Sequence, residues 1–97
     1  MRIIAKKTLR EFWEHYPDAE QALRAWYQDT SNSTWNSPND IRQTYATTSI
    51  IPNNRVVFNI CGNHYRFIVA INYNSGIVYI RFIGTHQDYD RVDAATI

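Results

Sequence analysis

Near the end of the chain His86, Tyr89 and Asp90 stand three and four residues apart. On a helix that spacing places all three on one face. An imidazole titrates near neutral pH and can take or give a proton. A tyrosine ring can stack on a base, or its hydroxyl can donate to a phosphate. Asp90 either orients His86 or is a first-turn acid that complements the helix dipole. Upstream lie Arg66 and Arg81, whose planar guanidinium groups suit a phosphate held in a fork. Each of these residues also has a plain surface or structural reading, and what decides between the two is where the chain places them.

Other chemistries find little support. The three histidines and the single Cys61 show no metal-ligand spacing. There is no glycine-rich phosphate loop, no Ser–His–Asp order and no Cys–His arrangement. One cysteine allows no intrachain disulfide, which fits a reducing compartment. The apolar run at Ile3-Ile4-Ala5 is too short for a signal peptide or a membrane span, so the expectation is a cytoplasmic protein without a membrane partner. The 97 residues, 44% hydrophobic and 20% charged, make one globular domain, and an aromatic content of 14% compensates for small size. The formal net charge is only +1, and a protein that binds nucleic acid by free electrostatic attraction is usually much more basic. If this one handles RNA, something else presents the RNA or the positive charge is concentrated on one face.

The elements that must position these residues follow from periodicity. Arg2 to Ala5 reads as a short strand. Leu9, Phe12, Trp13 and Tyr16 form a helical stripe from Lys6 onward, ended by Pro17. Asp18, with Gln21 three residues on, reads as the cap of a second helix carrying Ala19, Ala22, Leu23 and Trp26. Residues 29–40 read as a loop. Ser37-Pro38-Asn39-Asp40 starts a short helix reaching about Tyr45, and Ala46 to Asn54 looks irregular. Three β-rich runs follow, Arg55–Ile60, His64–Tyr73 and Ile77–Ile83, with turn signals at Cys61-Gly62-Asn63 and Asn74-Ser75-Gly76. Thr85 and Asp88 form a capping box, so a short helix begins at His86. The order predicts an α+β fold, with two N-terminal helices on one face of a small antiparallel sheet and a short C-terminal helix.

Strand register can be argued from burial, because a one-residue slip exchanges the two faces. A type II′ turn at Gly62-Asn63 pairs Asn59 with Arg66 and Val57 with Ile68. A tight turn centred on Asn74-Ser75 pairs Arg66 with Ile83, Ile68 with Arg81 and Ala70 with Tyr79. One face then carries Phe58, Ile60, Tyr65, Phe67, Val69, Ile71, Val78, Ile80 and Phe82 and belongs under the helices. The other carries Asn59, His64, Arg66, Ile68, Tyr79 and Arg81. By itself this physics supports an anion-binding α+β domain with a histidine able to act as acid or base.

The run Val57-Phe58-Asn59-Ile60-Cys61-Gly62-Asn63-His64-Tyr65-Arg66-Phe67-Ile68 resembles the HigB-type toxin family, RelE-like messenger RNA interferases of type II toxin–antitoxin systems. So does the run from Ile77 to Asp90, with its Gly84-Thr85-His86 and Tyr89, and so does the first half from Leu9 to Tyr27. The resemblance implies a RelE-like fold with RNA on the sheet face away from the helices. It implies a cofactor-free endoribonuclease that cuts messenger RNA during translation on the ribosome. It also implies neutralisation by a cognate helix-turn-helix antitoxin of the HigA type, the two together binding operator DNA. Carried over by position, Arg66 and Arg81 neutralise the scissile phosphate, His86 moves a proton and Tyr89 supports it. Lys6, Lys7, Asn59, Asn63 and His64 are the candidate RNA contacts. No metal is needed where the ribose 2′-hydroxyl is the nucleophile. Two other readings compete: a ParE-like gyrase poison, for which His86 and Tyr89 are dispensable, and a non-catalytic module that only pairs with an antitoxin.

Overall fold

Two hairpins build the centre of the sheet. In the computed structural model, which describes all 97 residues, strand β3 (Arg55–Ile60) pairs antiparallel with β4 (Tyr65–Asn72) in the register that burial requires, with Asn59 opposite Arg66 and Val57 opposite Ile68. The His64 N–H donates to the Cys61 carbonyl at 3.2 Å to close the turn. Gly62 and Asn63 both have positive φ, +62° and +76°. The turn is therefore of the I′ kind rather than the expected II′, a geometry that also matches strand twist.

The second hairpin joins β4 to β5 (Ile77–Thr85) through a loop closed by the Gly76 N–H on the Asn72 carbonyl at 2.9 Å. Ala70 faces Tyr79 as expected. Beyond it the expected register fails: Ile80 faces Val69 but Phe82, not Arg81, faces Ile68, so Arg81 is the extra residue of a β-bulge. The packing gives the reason. Ile80 and Ile83 both pack on the helix-side core, and residues three apart cannot share a face of a regular strand. The bulge turns Arg81 and Phe82 outward together. Phe82 leaves the helix side, and Gly84 rather than Ile83 stands opposite Arg66.

Two further strands complete the sheet in the order β1-β5-β4-β3-β2. Strand β1 (Arg2–Ile4) runs parallel to β5. Strand β2 (Ser49–Ile51) lies in the stretch expected to be irregular and pairs antiparallel with β3. It is only three residues long and sits at an edge, so it carries too little alternation to be read from sequence. Asn53 and Asn54 make its turn in left-handed backbone, which asparagine tolerates.

The helices cover one face. Helix α1 (Lys6–His15) buries Leu9 and Trp13, and α2 (Glu20–Ser31) buries Leu23 and Trp26. They are joined by a 3₁₀ turn, Pro17–Ala19. Asp18 lies inside that turn and caps nothing; the residue before α2 is Ala19, without a side-chain cap. The Asp18 carboxylate instead accepts from the Tyr65 hydroxyl at 2.7 Å, tying the helix connection to β4. Helix α3 (Pro38–Thr44) buries Ile41. Its expected Ser37 cap makes no side-chain bond; Asp40 accepts from the Asn36 N–H at 2.9 Å. The core is aromatic, with the Trp26 ring centroid 4.7 Å from that of Phe67 and Phe58 5.0 Å from Phe67. No helix is long and apolar enough to cross a membrane.

Candidate active site

Helix α4 (His86–Tyr89) begins where β5 ends, and the expected capping box is present. The Thr85 hydroxyl accepts from the Asp88 N–H at 3.1 Å, and the Asp88 carboxylate accepts from the Thr85 N–H at 3.3 Å. A helix of four residues has no independent stability, so this box and the packing of α4 on β4 and β5 hold it. Gly84 makes the fold-back possible. A Cβ there would lie 3.0 Å from the Asp88 Cβ and 2.8 Å from the end of the Phe82 ring, closer than carbon atoms pack. The His86 N–H also donates to the His64 carbonyl at 3.2 Å, which brings the β3–β4 turn, with Asn63 and His64, beside the start of α4.

This anchoring gathers four side chains. His86 Nδ1 lies 3.2 Å from an Asp90 carboxylate oxygen. The Arg66 guanidinium stacks 4.8 Å above the Tyr89 ring. Arg66 comes from β4 and Tyr89 from α4, so the stack fixes the guanidinium over the sheet end. Next to Arg66 across the strand pair is Asn59. Its amide nitrogen donates to the Thr47 carbonyl at 3.3 Å, while its Oδ1 and the Arg66 Nε are buried without a partner in the chain. Buried polar atoms are normally satisfied, so these two, an acceptor and a donor on paired residues, are exceptions.

Arg81, Lys6 and Lys7 are not part of this cluster. Arg81 is turned away, its Nε donating to the main-chain oxygen of Ile97 at 3.3 Å. Lys6 and Lys7 belong to the helical layer, on the opposite side of the sheet. Lys6 sits 4.7 Å over the Tyr27 ring, and Lys7 pairs with Glu11 on its own helix at 3.6 Å. Arg55 was not among the sequence candidates, yet it shares the Ile97 oxygen with Arg81. The signal for it was present: the argued register sets Arg55 opposite Ala70, on the polar face. Cys61 is unsuited to nucleophilic work, because burial and the nearby Asp18 carboxylate push its thiol above the ordinary range. No three His, Cys, Asp or Glu side chains gather as a group that could hold a metal ion.

A sheet covered by helices on one side, with an arginine, a tyrosine and a carboxylate-paired histidine on the other, defines a RelE-like α+β domain. The sequence pattern of the HigB toxin family, described as a RelE-like toxic component of a toxin–antitoxin system, matches residues 19–92, and the chain belongs to that family. It is similar to the messenger RNA interferase toxin HigB of Escherichia coli K12, 26% identical over 92 residues that cover 93% of this chain and 88% of that protein. The mRNA interferase HigB of Shigella flexneri matches to the same extent. That of Escherichia coli O6:H1 is 26% identical over 94 residues, 95% of this chain and 91% of the relative.

Proposed function

We propose that this chain is a cytoplasmic messenger RNA interferase: an endoribonuclease that cuts translated messages on the ribosome and is held inactive by a cognate helix-turn-helix antitoxin, the pair repressing its own operator. The carrying observation is the His86–Asp90 and Arg66–Tyr89 cluster at one end of the helix-free sheet face. The relatives' names supply the substrate class.

The geometry supports the following chemistry. The Asp90 carboxylate, 3.2 Å from Nδ1, steadies the ring of His86, which is the proton carrier. His86 takes the proton of the ribose 2′-hydroxyl, or as imidazolium gives one to the leaving oxygen. Arg66, held flat by Tyr89, neutralises charge building on the scissile phosphate. Asn59 stands beside Arg66 across the strand pair, and Asn63 and His64 border the RNA's path at the adjoining turn. A net charge of +1 suits a toxin whose message is presented by the ribosome rather than captured from solution.

The test is induction of the chain without an antitoxin, mapping the 5′ ends of cellular messages beside an Arg66→Ala/His86→Ala variant. The expected result is new cleavage within translated frames, with cyclic 2′,3′-phosphate or 3′-phosphate ends, absent in the variant. Growth arrest with intact messages and broken DNA would overturn the nuclease reading in favour of a gyrase poison.

A further inference from the structure

Arg55 and Arg81 come from β3 and β5, the two strands flanking β4, so their backbones stand about 10 Å apart. Both nevertheless reach one atom. The main-chain oxygen of Ile97 accepts from Arg55 Nε at 3.2 Å, from Arg55 Nη2 at 2.8 Å and from Arg81 Nε at 3.3 Å. Neither arginine pairs with an acidic side chain; the side-chain ion pairs of lysine and arginine are Lys7–Glu11 and Arg24–Glu20. Two guanidinium groups converging on one oxygen form a fork-like anion cradle. It is separate from the Arg66 cluster: Arg81 precedes Gly84, the residue opposite Arg66, by three positions, about 10 Å along the strand.

The oxygen is delivered by a short folded segment. Its turn is tied by Asp93, whose carboxylate accepts from the Ala95 N–H at 3.1 Å and whose carbonyl accepts from the Thr96 and Ile97 N–H groups. One side chain outside the segment fastens it further: the Asn53 amide donates to the Ala95 carbonyl at 2.9 Å. On the same face Val57 and Ile68 lie outside the helix-side core, yet are only 2% and 0% exposed. The segment is tethered to the polar face of the sheet by a few exchangeable polar bonds.

We propose that Arg55 and Arg81 are a second RNA phosphate site, which the main-chain oxygen of Ile97 fills in the free toxin and which a phosphodiester of the bound strand takes over by displacing residues 93–97. The inference rests on the RNA-cutting reading and adds to it a phosphate contact distant from the scissile bond. The site is then both a grip on the strand and a brake, since RNA must compete with the chain's own backbone.

The test uses a short single-stranded oligoribonucleotide with 2′-O-methyl riboses, which binds without being cut, and follows its fluorescence anisotropy over a range of salt concentrations. Asn53→Gly/Asp93→Ala loosens the segment while keeping the left-handed backbone available at residue 53; the expected result is binding at least threefold tighter. In that background Arg55→Gln is expected to weaken binding and to reduce the slope of log K against log salt by about 0.7, the single-strand value for one lost phosphate contact. Arg55→Lys should keep the slope and lose part of the affinity, which separates loss of charge from loss of folding. Unchanged affinity in the loosened variant refutes displacement, and an unchanged slope in Arg55→Gln refutes the site. If the Arg66→Ala/His86→Ala variant abolishes message cleavage while Arg55→Gln binds RNA as tightly as its parent, the nuclease reading stands and this inference falls. If no variant binds the oligonucleotide, the inference falls as well, and the mapping of message ends judges the nuclease reading separately.

Discussion

Thr85 joins β5 to the helix that carries His86 and Tyr89, and its substitution tests whether the capping box positions the site. Thr85→Ala removes the acceptor of the Asp88 N–H, a 3.1 Å bond. It also disturbs the return bond from the Thr85 N–H to the Asp88 carboxylate. Loss of a threonine cap costs about 1 kcal/mol, which is roughly fivefold in the local equilibrium between folded and frayed α4. The amides that report this are those of Asp90 and Arg91, which donate to the His86 and Asp88 carbonyls at 3.1 and 3.2 Å. Their hydrogen-exchange protection is expected to fall about fivefold in Thr85→Ala and to return in Thr85→Ser, with little change in the strands. Message cleavage should fall by no more than the same factor, because it follows the fraction of molecules with α4 in place. Two results would refute the reasoning. Unchanged protection at Asp90 and Arg91 means that the cap does not hold the helix. A loss of cleavage of a hundredfold or more means that Thr85 acts in the chemistry itself.

Three further outcomes are expected. Tyr89→Phe keeps the ring under Arg66 and should retain most cleavage, whereas Tyr89→Leu should lose about two- to thirtyfold, the range of one cation–π contact; equal losses in primer-extension mapping would assign the role to the hydroxyl. The Tyr65 hydroxyl, bonded to the Asp18 carboxylate and shielded by burial, has its pKa pushed up to about 12. An unfolded tyrosine ionises near pH 10, so this bond's contribution is complete below about pH 10 and is lost as pH rises toward 12. Urea midpoints of wild type and Tyr65→Phe should therefore converge across that window and run parallel below it. Phe58, 2% exposed among Trp26, Tyr45 and Phe67, should cost about 3–5 kcal/mol when changed to Ala, measured by urea denaturation; a cost under about 1 kcal/mol would show that this aromatic cluster is not the centre of the core.

The parts of the fold legible in the sequence are those specified by local, repeated signals. The helical stripes of α1 and α2, the β3–β4 register and the Thr85–Asp88 box each rest on residues close in the chain whose burial or bonding admits one arrangement. The errors arose where a long-range partner outweighed a local signal. Asp18 reads as a cap because of its neighbours but is taken by Tyr65, 47 residues away. Strand β2 has three residues and is defined by β3 rather than by its own pattern. The bulge at Arg81 exists because Ile80 and Ile83 are both needed in the core, a demand visible only once the helices are in place above them.

The site shows the same division. Alternation places Arg66 and Asn59 on one face, and the capping box places His86 and Tyr89 at its end, so the cluster follows from local rules. What local rules cannot supply is the occupant of the rest of the face. Residues 91–97 carry neither period nor turn signal, and the bond from Arg55 to Ile97 spans 42 residues. Yet the strands hold an indirect clue. Val57 and Ile68 face each other on the side that also carries Asn59 and Arg66, and two large aliphatic side chains facing each other there need a cover, since their exposure would cost roughly 1.5–3 kcal/mol each. A paired apolar patch between basic residues on an otherwise polar sheet face therefore calls for something that is apolar beneath and oxygen-bearing at its edges. A backbone segment ending in Ala94-Ala95-Thr96-Ile97 meets both demands, and the sugar–phosphate chain of an RNA strand presents a related combination, phosphate oxygens beside the flat faces of its bases. On the proposed displacement, that likeness lets one surface hold residues 93–97 in the free protein and a phosphodiester of RNA in the complex.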